Sequence, residues 1–126
     1  MADIQILMGT KGHTEEVDAT LYGQLAVHIP DYAVDTVSVT HIKSGCLVAK
    51  FYRWQDATDF AEKANLIMDF DTYAVSLTKF GVAKTKAIYR QPIDALRALK
   101  DEYESSIKLS DHADVPVKLI KKYMAE

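Results

Sequence analysis

The stretch Val37-Ser38-Val39-Thr40-His41-Ile42-Lys43-Ser44-Gly45-Cys46-Leu47-Val48-Ala49-Lys50-Phe51-Tyr52-Arg53-Trp54 decides the fold class. Over Val37–Ile42, Val37 and Val39 alternate with Ser38 and Thr40, the period of a strand whose side chains point to opposite faces. Lys43-Ser44-Gly45 supplies a turn in which glycine takes positive φ without steric cost. Cys46–Trp54, rich in β-branched and aromatic residues, reads as the return strand. Its buried face is expected to carry Leu47, Ala49 and Phe51. A helix follows over Asp56–Phe70, with Ala57, Phe60, Ala61, Ala64, Ile67 and Met68 on one apolar stripe. Its alanines allow the helix to sit close against the sheet.

Towards the C-terminus the same residue types recur. Val75-Ser76-Leu77-Thr78 matches Val37–Thr40, Ile88-Tyr89-Arg90 matches Phe51-Tyr52-Arg53, and Asp94-Ala95 matches Asp56-Ala57. These matches predict a second hairpin, Tyr73–Phe80 and Val82–Arg90 around Gly81. A helix then runs from Pro92 to about Ile107. The chain then reads as a duplicated ββα unit over residues 35–70 and 73–107. Lys84 and Lys86 stand where the first unit has Leu47 and Ala49. A buried face cannot hold both lysines unpaired, so the second return strand is expected to be an exposed edge or shifted in register.

The flanks are plainer. Ile4–Met8 reads as a strand broken by Gly9-Thr10-Lys11-Gly12. Over residues 14–29, Val17, Leu21 and Leu25 fall at helical spacing after Thr14 while Gly23 and Leu25–Ile29 suit a strand, so the reading is a loop or short helix first. A strand over Gln24–Ile29 stops at Pro30. Ser110–Asp114 is a polar connector, and Pro116 opens a last amphipathic helix over 115–125. The expectation is one α+β domain over 1–126: an antiparallel sheet of four to six strands with two or three helices packed on one face.

Composition narrows the class further. At 126 residues, 48% hydrophobic and 26% charged, the chain can bury a core and is not globally disordered. It lacks an apolar run long enough to span a bilayer, and its first residues lack the pattern of a signal peptide. A single cysteine, Cys46, excludes a disulfide framework and a Cys-based zinc motif. These features lead to the expectation of a cytoplasmic protein with no membrane partner.

The net charge of −3 hides an uneven distribution. Between Asp35 and Asp56 the charged residues are Lys43, Lys50 and Arg53, and between Asp71 and Asp94 they are Lys79, Lys84, Lys86 and Arg90. Phe51, Tyr52, Trp54, Phe80 and Tyr89 are interleaved with them. The seven cations form the candidate binding surface, a basic side of two hairpins. It suits a protein partner with an acidic face. The alternative is nucleic acid, with cations on phosphates and aromatics stacked on bases. A second alternative is a small ligand-binding protein or enzyme with a pocket between the two halves.

No convergent catalytic set appears. The Gly9–Gly12 loop lacks phosphate-loop spacing. His13, His28, His41 and His112 sit on different expected elements, and Asp111-His112-Ala113-Asp114 reads as a polar lead-in. His41, aligned with Val37 and Val39, reads as partly buried structure, and Cys46 as packing. Ser38, Ser44 and Ser76 lack the Gly-x-Ser-x-Gly elbow. The expectation is a non-enzymatic protein without catalytic residues, metal or cofactor. Edge strands and the last amphipathic helix add an expectation of homodimerisation.

From Leu25-Ala26-Val27-His28 through Val39-Thr40-His41-Ile42-Lys43-Ser44-Gly45 to Asp56-Ala57 and Phe60-Ala61, the chain resembles small uncharacterised bacteriophage proteins. Their shared pattern is a strand ending in Val-Thr-His, a Ser/Thr-Gly turn, a return strand and an alanine-rich helix. The outline is also similar to the AP2-like arm of phage integrases, which is usually more basic than this chain. The resemblance covers about a third of the sequence. It implies a phage setting and a role in modulating host machinery.

Overall fold

The computed structural model describes residues 2–7, 14–29 and 35–109. Six strands, β1 (Ala2–Leu7), β2 (Thr14–Tyr22), β3 (Leu25–His28), β4 (Val37–His41), β5 (Leu47–Phe51) and β6 (Ser106–Leu109), pair antiparallel in sequence order. β2 is shared along its length: residues 14–19 pair with β1 and residues 20–22 with β3. Four helices are inserted between β5 and β6: α1 (Trp54–Ile67), α2 (Phe70–Phe80), α3 (Val82–Ile88) and α4 (Arg90–Asp101). The fold is α+β, with an antiparallel sheet as expected.

The β4–β5 hairpin forms where the alternation places it, and Gly45 takes φ 72° in its turn. Val37 and Val39 oppose Phe51 and Ala49, and all four are buried against α1. One detail differs from expectation. The register shifts between Val39 and Thr40, so Leu47 lies opposite Thr40 and is half-buried while Val48 joins the core. A bulge of this kind moves one residue out of the alternation.

Residues 14–22 form a strand, not a loop or helix. Val17, Ala19 and Leu21 alternate with Glu16, Asp18 and Thr20, and pairing on both sides favours that period over the helical one. Tyr22 and Leu25 pair across Gly23-Gln24, with Gly23 at φ 57°.

The duplicated ββα unit is overturned, because residues 73–90 are helical. Phe70, Tyr73, Ala74 and Leu77 form a buried stripe at helical spacing, which competes with the alternation of Val75 and Leu77 and wins. Asp69 caps α2, its carboxylate accepting the Thr72 N–H at 3.1 Å. Gly81 ends it at φ 81°, its N–H donating to the Leu77 carbonyl at 3.1 Å. The difficulty of Lys84 and Lys86 on a buried strand therefore vanishes, since both lie on α3. Four helices, not two or three, lie among the described residues. The helix expected to reach Ile107 ends at Asp101, because Ser106–Leu109 pairs with β5. The Gly9–Gly12 loop, His13, the connector at 110–114 with His112, and the helix at 115–125 lie outside the described residues.

The core sits between one sheet face and the helices. Leu25, Val27, Val39, Ala49 and Phe51 meet Ala57, Phe60, Ala61 and Ala64 of α1, with Phe70 and Leu77 of α2 and Leu96 and Leu99 of α4 completing it. Phe51 and Phe60 rings lie 5.2 Å apart, and Tyr103 packs edge-on to Phe51 at 5.8 Å.

Polar side chains then fix the helices to the strand ends. Asn65 of α1 donates to the carbonyls of Tyr22 and Ala61 and accepts the Gln24 N–H at 3.2 Å. A Cβ on Gly23 would stand 2.8 Å from Asn65 Oδ1, so only glycine permits this approach. Phe60→Ala is expected to cost about 3–5 kcal/mol through the cavity left behind. Asn65→Ala is expected to cost about 1 kcal/mol, because it removes three hydrogen bonds to partly buried backbone groups. Urea unfolding of both variants measures these losses.

Candidate interaction surface

The seven cations do not form one basic hairpin side. Lys43 lies in the β4–β5 turn, and its ammonium is 3.1 Å from Asp71 Oδ2. Lys50 is half-buried on β5, opposite Ser38 on one neighbour and Lys108 on the other. Arg53 precedes α1 and reaches the exposed Glu104 at 3.9 Å. Lys79, Lys84, Lys86 and Arg90 follow one another along α2, α3 and the start of α4. Helix formation over 70–101 thus separates this second group from the hairpin.

The second group is the better candidate surface. Lys79, Lys84 and Arg90 are exposed and Lys86 is half-buried. Phe80 and Ile88 are 46% and 56% exposed, and the Lys84 ammonium lies 5.2 Å from the Phe80 ring centroid. Phe80, Lys84 and Ile88 are spaced four apart, with exposed Ala83 and Ala87 beside them. The sequence between Asp71 and Asp94 contains no carboxylate to neutralise these cations locally. The result is a mixed apolar and cationic face.

A second cluster is invisible in the sequence because Asp71 lies 30 residues from His41 in the chain. His41 ends β4 with its ring facing the helices. Its Nδ1 accepts the Ser44 hydroxyl at 2.6 Å and the Ser44 N–H at 3.3 Å, so Nε2 carries the proton and donates to Asp71 Oδ1 at 2.6 Å. Ser44 Oγ in turn accepts the Cys46 N–H at 3.2 Å. The residue types are those of a hydrolase triad. Ser44 is only 1% exposed, however, and its oxygen is committed to the turn. The cluster fastens the hairpin to the first turn of α2. Its one sequence signal was the alignment of His41 with Val37 and Val39, and His41 is buried as expected.

Burial lowers the His41 pKa below 6.5 despite the Asp71 carboxylate. For Asp71, burial works upward, but hydrogen bonds from His41 and Lys43 outweigh it and hold the carboxyl below its ordinary value. Cys46 is buried and its thiol is pushed up by that burial, which makes it a poor nucleophile. His28 is also buried, its Nε2 2.9 Å from Thr40 Oγ1.

An open cleft of about 400 Å³ lies between the β2–β3 turn and the α1–α2 junction, lined by Gly23, Gln24, Asn65, Leu66, Met68 and Asp69. Its polar side chains are engaged with one another and with backbone: Gln24 accepts the Phe70 N–H at 2.6 Å and donates to Asp69 Oδ1 at 3.0 Å. Among the described residues no three His, Cys, Asp or Glu side chains converge as a metal site. None of the described helices is long and apolar enough to cross a membrane. Comparison with family models, with curated proteins and with solved structures found no match to this chain.

A histidine whose folded pKa is depressed binds its proton more readily in the unfolded chain. Its contribution to stability is therefore present above 6.5 and lost as pH falls below that value. The thermal midpoint is expected to drop through this window in the wild type and to vary less in His41→Gln. Asp71, held below its ordinary value, adds a further loss as pH falls below 3.8. Calorimetry across pH measures both.

Proposed function

We propose that this is a non-enzymatic binding protein that engages an acidic partner protein through the exposed face of α2, α3 and the start of α4. The observation that carries this reading is Lys84 lying over the exposed Phe80 ring, with exposed Ile88 one turn further along and no Asp or Glu in the sequence between Asp71 and Asp94. Such a face complements a surface on which carboxylates surround an apolar side chain. Charge supplies the encounter rate and orientation, and burial of Phe80 and Ile88 supplies holding energy. The sequence resemblance to small phage proteins motivates a bacterial host protein as the partner.

The same cations leave nucleic acid as the alternative. This face has one arginine against three lysines, and arginine is the cation that adds stacking contacts to bases, which favours protein. Capture from a nuclease-treated bacterial lysate is expected to retain an acidic protein. Charge reversal at Lys84, Lys86 and Arg90 together is expected to abolish its retention while leaving the thermal midpoint near wild type. Identical retention by wild type and variant would sink the reading. Tight, steeply salt-dependent binding of an oligonucleotide would replace it with the alternative.

A further inference from the structure

α3 is held in place unlike any other helix of the described chain. Single residues bound it, Gly81 before and Tyr89 after, and α2 and α4 are its principal neighbours. Of its residues only Thr85 is buried. That residue is fully buried, yet its hydroxyl has no hydrogen-bond partner among the described residues. A buried hydroxyl without an acceptor opposes the closed packing that hides it.

The hinge residues fit the same picture. Gly81 sits at φ 81° and ψ 173°, a conformation costly for any residue with a Cβ. A Cβ there would have nothing within 4 Å, so the backbone angle and not crowding accounts for the glycine. At the other end the Tyr89 ring packs edge-on against Tyr73 of α2 at 5.1 Å, a contact that can act as a pivot. Lys84 over Phe80 spans the Gly81 hinge from α3 back to α2. An acidic group that draws Lys84 away therefore removes a contact holding the two helices together.

We propose that α3 is a hinged docking flap. It swings on Gly81 and Tyr89 to admit an acidic peptide segment bearing an apolar side chain, and the Thr85 hydroxyl then pairs with a carbonyl of that segment. The peptide's carboxylates take Lys84 and Arg90, and its apolar side chain packs on the freed Phe80 ring. The identity of the occupant rests on the reading of this face given above, whereas the opening itself does not.

Hydrogen exchange tests the flap without any partner. Amides of residues 82–88 are expected to exchange at least tenfold faster than those in the middle of α1, through a local opening. Thr85→Val removes the stranded hydroxyl at nearly constant shape. It is expected to raise the thermal midpoint by about 2–5 °C and to slow exchange at 82–88, whereas Thr85→Ser is not expected to slow it. Equal protection of α3 and α1, or exchange unaffected by Thr85→Val, overturns the flap. A synthetic peptide of alternating Glu and Leu at low salt is then the probe for the occupant. Wild type is expected to bind it with resonance shifts at 82–88, and Thr85→Val about tenfold more weakly. Equal affinity for both overturns the role of Thr85. Absence of binding to wild type, with exchange behaving as described, overturns the acidic peptide as occupant and the reading of the face, not the hinge.

Discussion

Two strands that pair with each other, β5 and β6, are separated in the chain by all four described helices, and the fold depends on closing that long excursion. Loop closure costs entropy that the β5–β6 pairing must offset. Apolar burial of α1 supplies much of the offset, and directional hydrogen bonds fix where the excursion leaves and returns. At the exit and return, Ser105 accepts the Arg53 N–H at 3.2 Å and donates to Asp56 at 2.6 Å, while its carbonyl accepts the Tyr52 N–H at 2.8 Å. Tyr103 donates to Asp59, bringing the end of α4 onto the start of α1. The residues just before β6 thereby substitute for the missing side-chain cap of α1.

A second polar seam lies at the α1–α2 junction. The β2–β3 and β4–β5 turns are joined by the Ile42 N–H donating to the Gln24 carbonyl at 3.0 Å. Gln24 and Asn65 fix one turn to α1 and the start of α2, and His41 and Asp71 fix the other to α2. The start of α2 is thus gripped by two strand turns at once. Among the described residues α3 has no comparable grip, and only Thr85 of its residues is buried, while the cations and aromatic of the proposed interface run from the end of α2 through α3 to the start of α4.

How much of this was legible in the chain varies by element. The β4–β5 hairpin and α1 could be read because local signals agree there: strict alternation, a glycine turn and a helical apolar stripe. Residues 73–90 were misread because Val75 and Leu77 alternate within a stripe that also fits a helix, and a short window cannot separate the two periods. The seven cations were visible as residues, but their grouping was not. Lys43 and Arg53 are drawn into ion pairs with Asp71 and Glu104, partners far off in sequence. The stranded hydroxyl of Thr85 left no sequence signature, and the cluster of His41, Ser44 and Asp71 left only the alignment of His41 with Val37 and Val39, since both depend on what packs across from them.

By itself, the sequence determined the antiparallel hairpin, the helix upon it, the α+β class and the acid-free run between Asp71 and Asp94. Each follows from residue type and spacing along one element. Tertiary structure alone decided that this run is helical, that Ser106–Leu109 returns to pair with β5, and that Lys84 lies across Phe80 beside Gly81. The physical reason is that burial and hydrogen-bond satisfaction are properties of pairs of elements, and no period in a single segment records them.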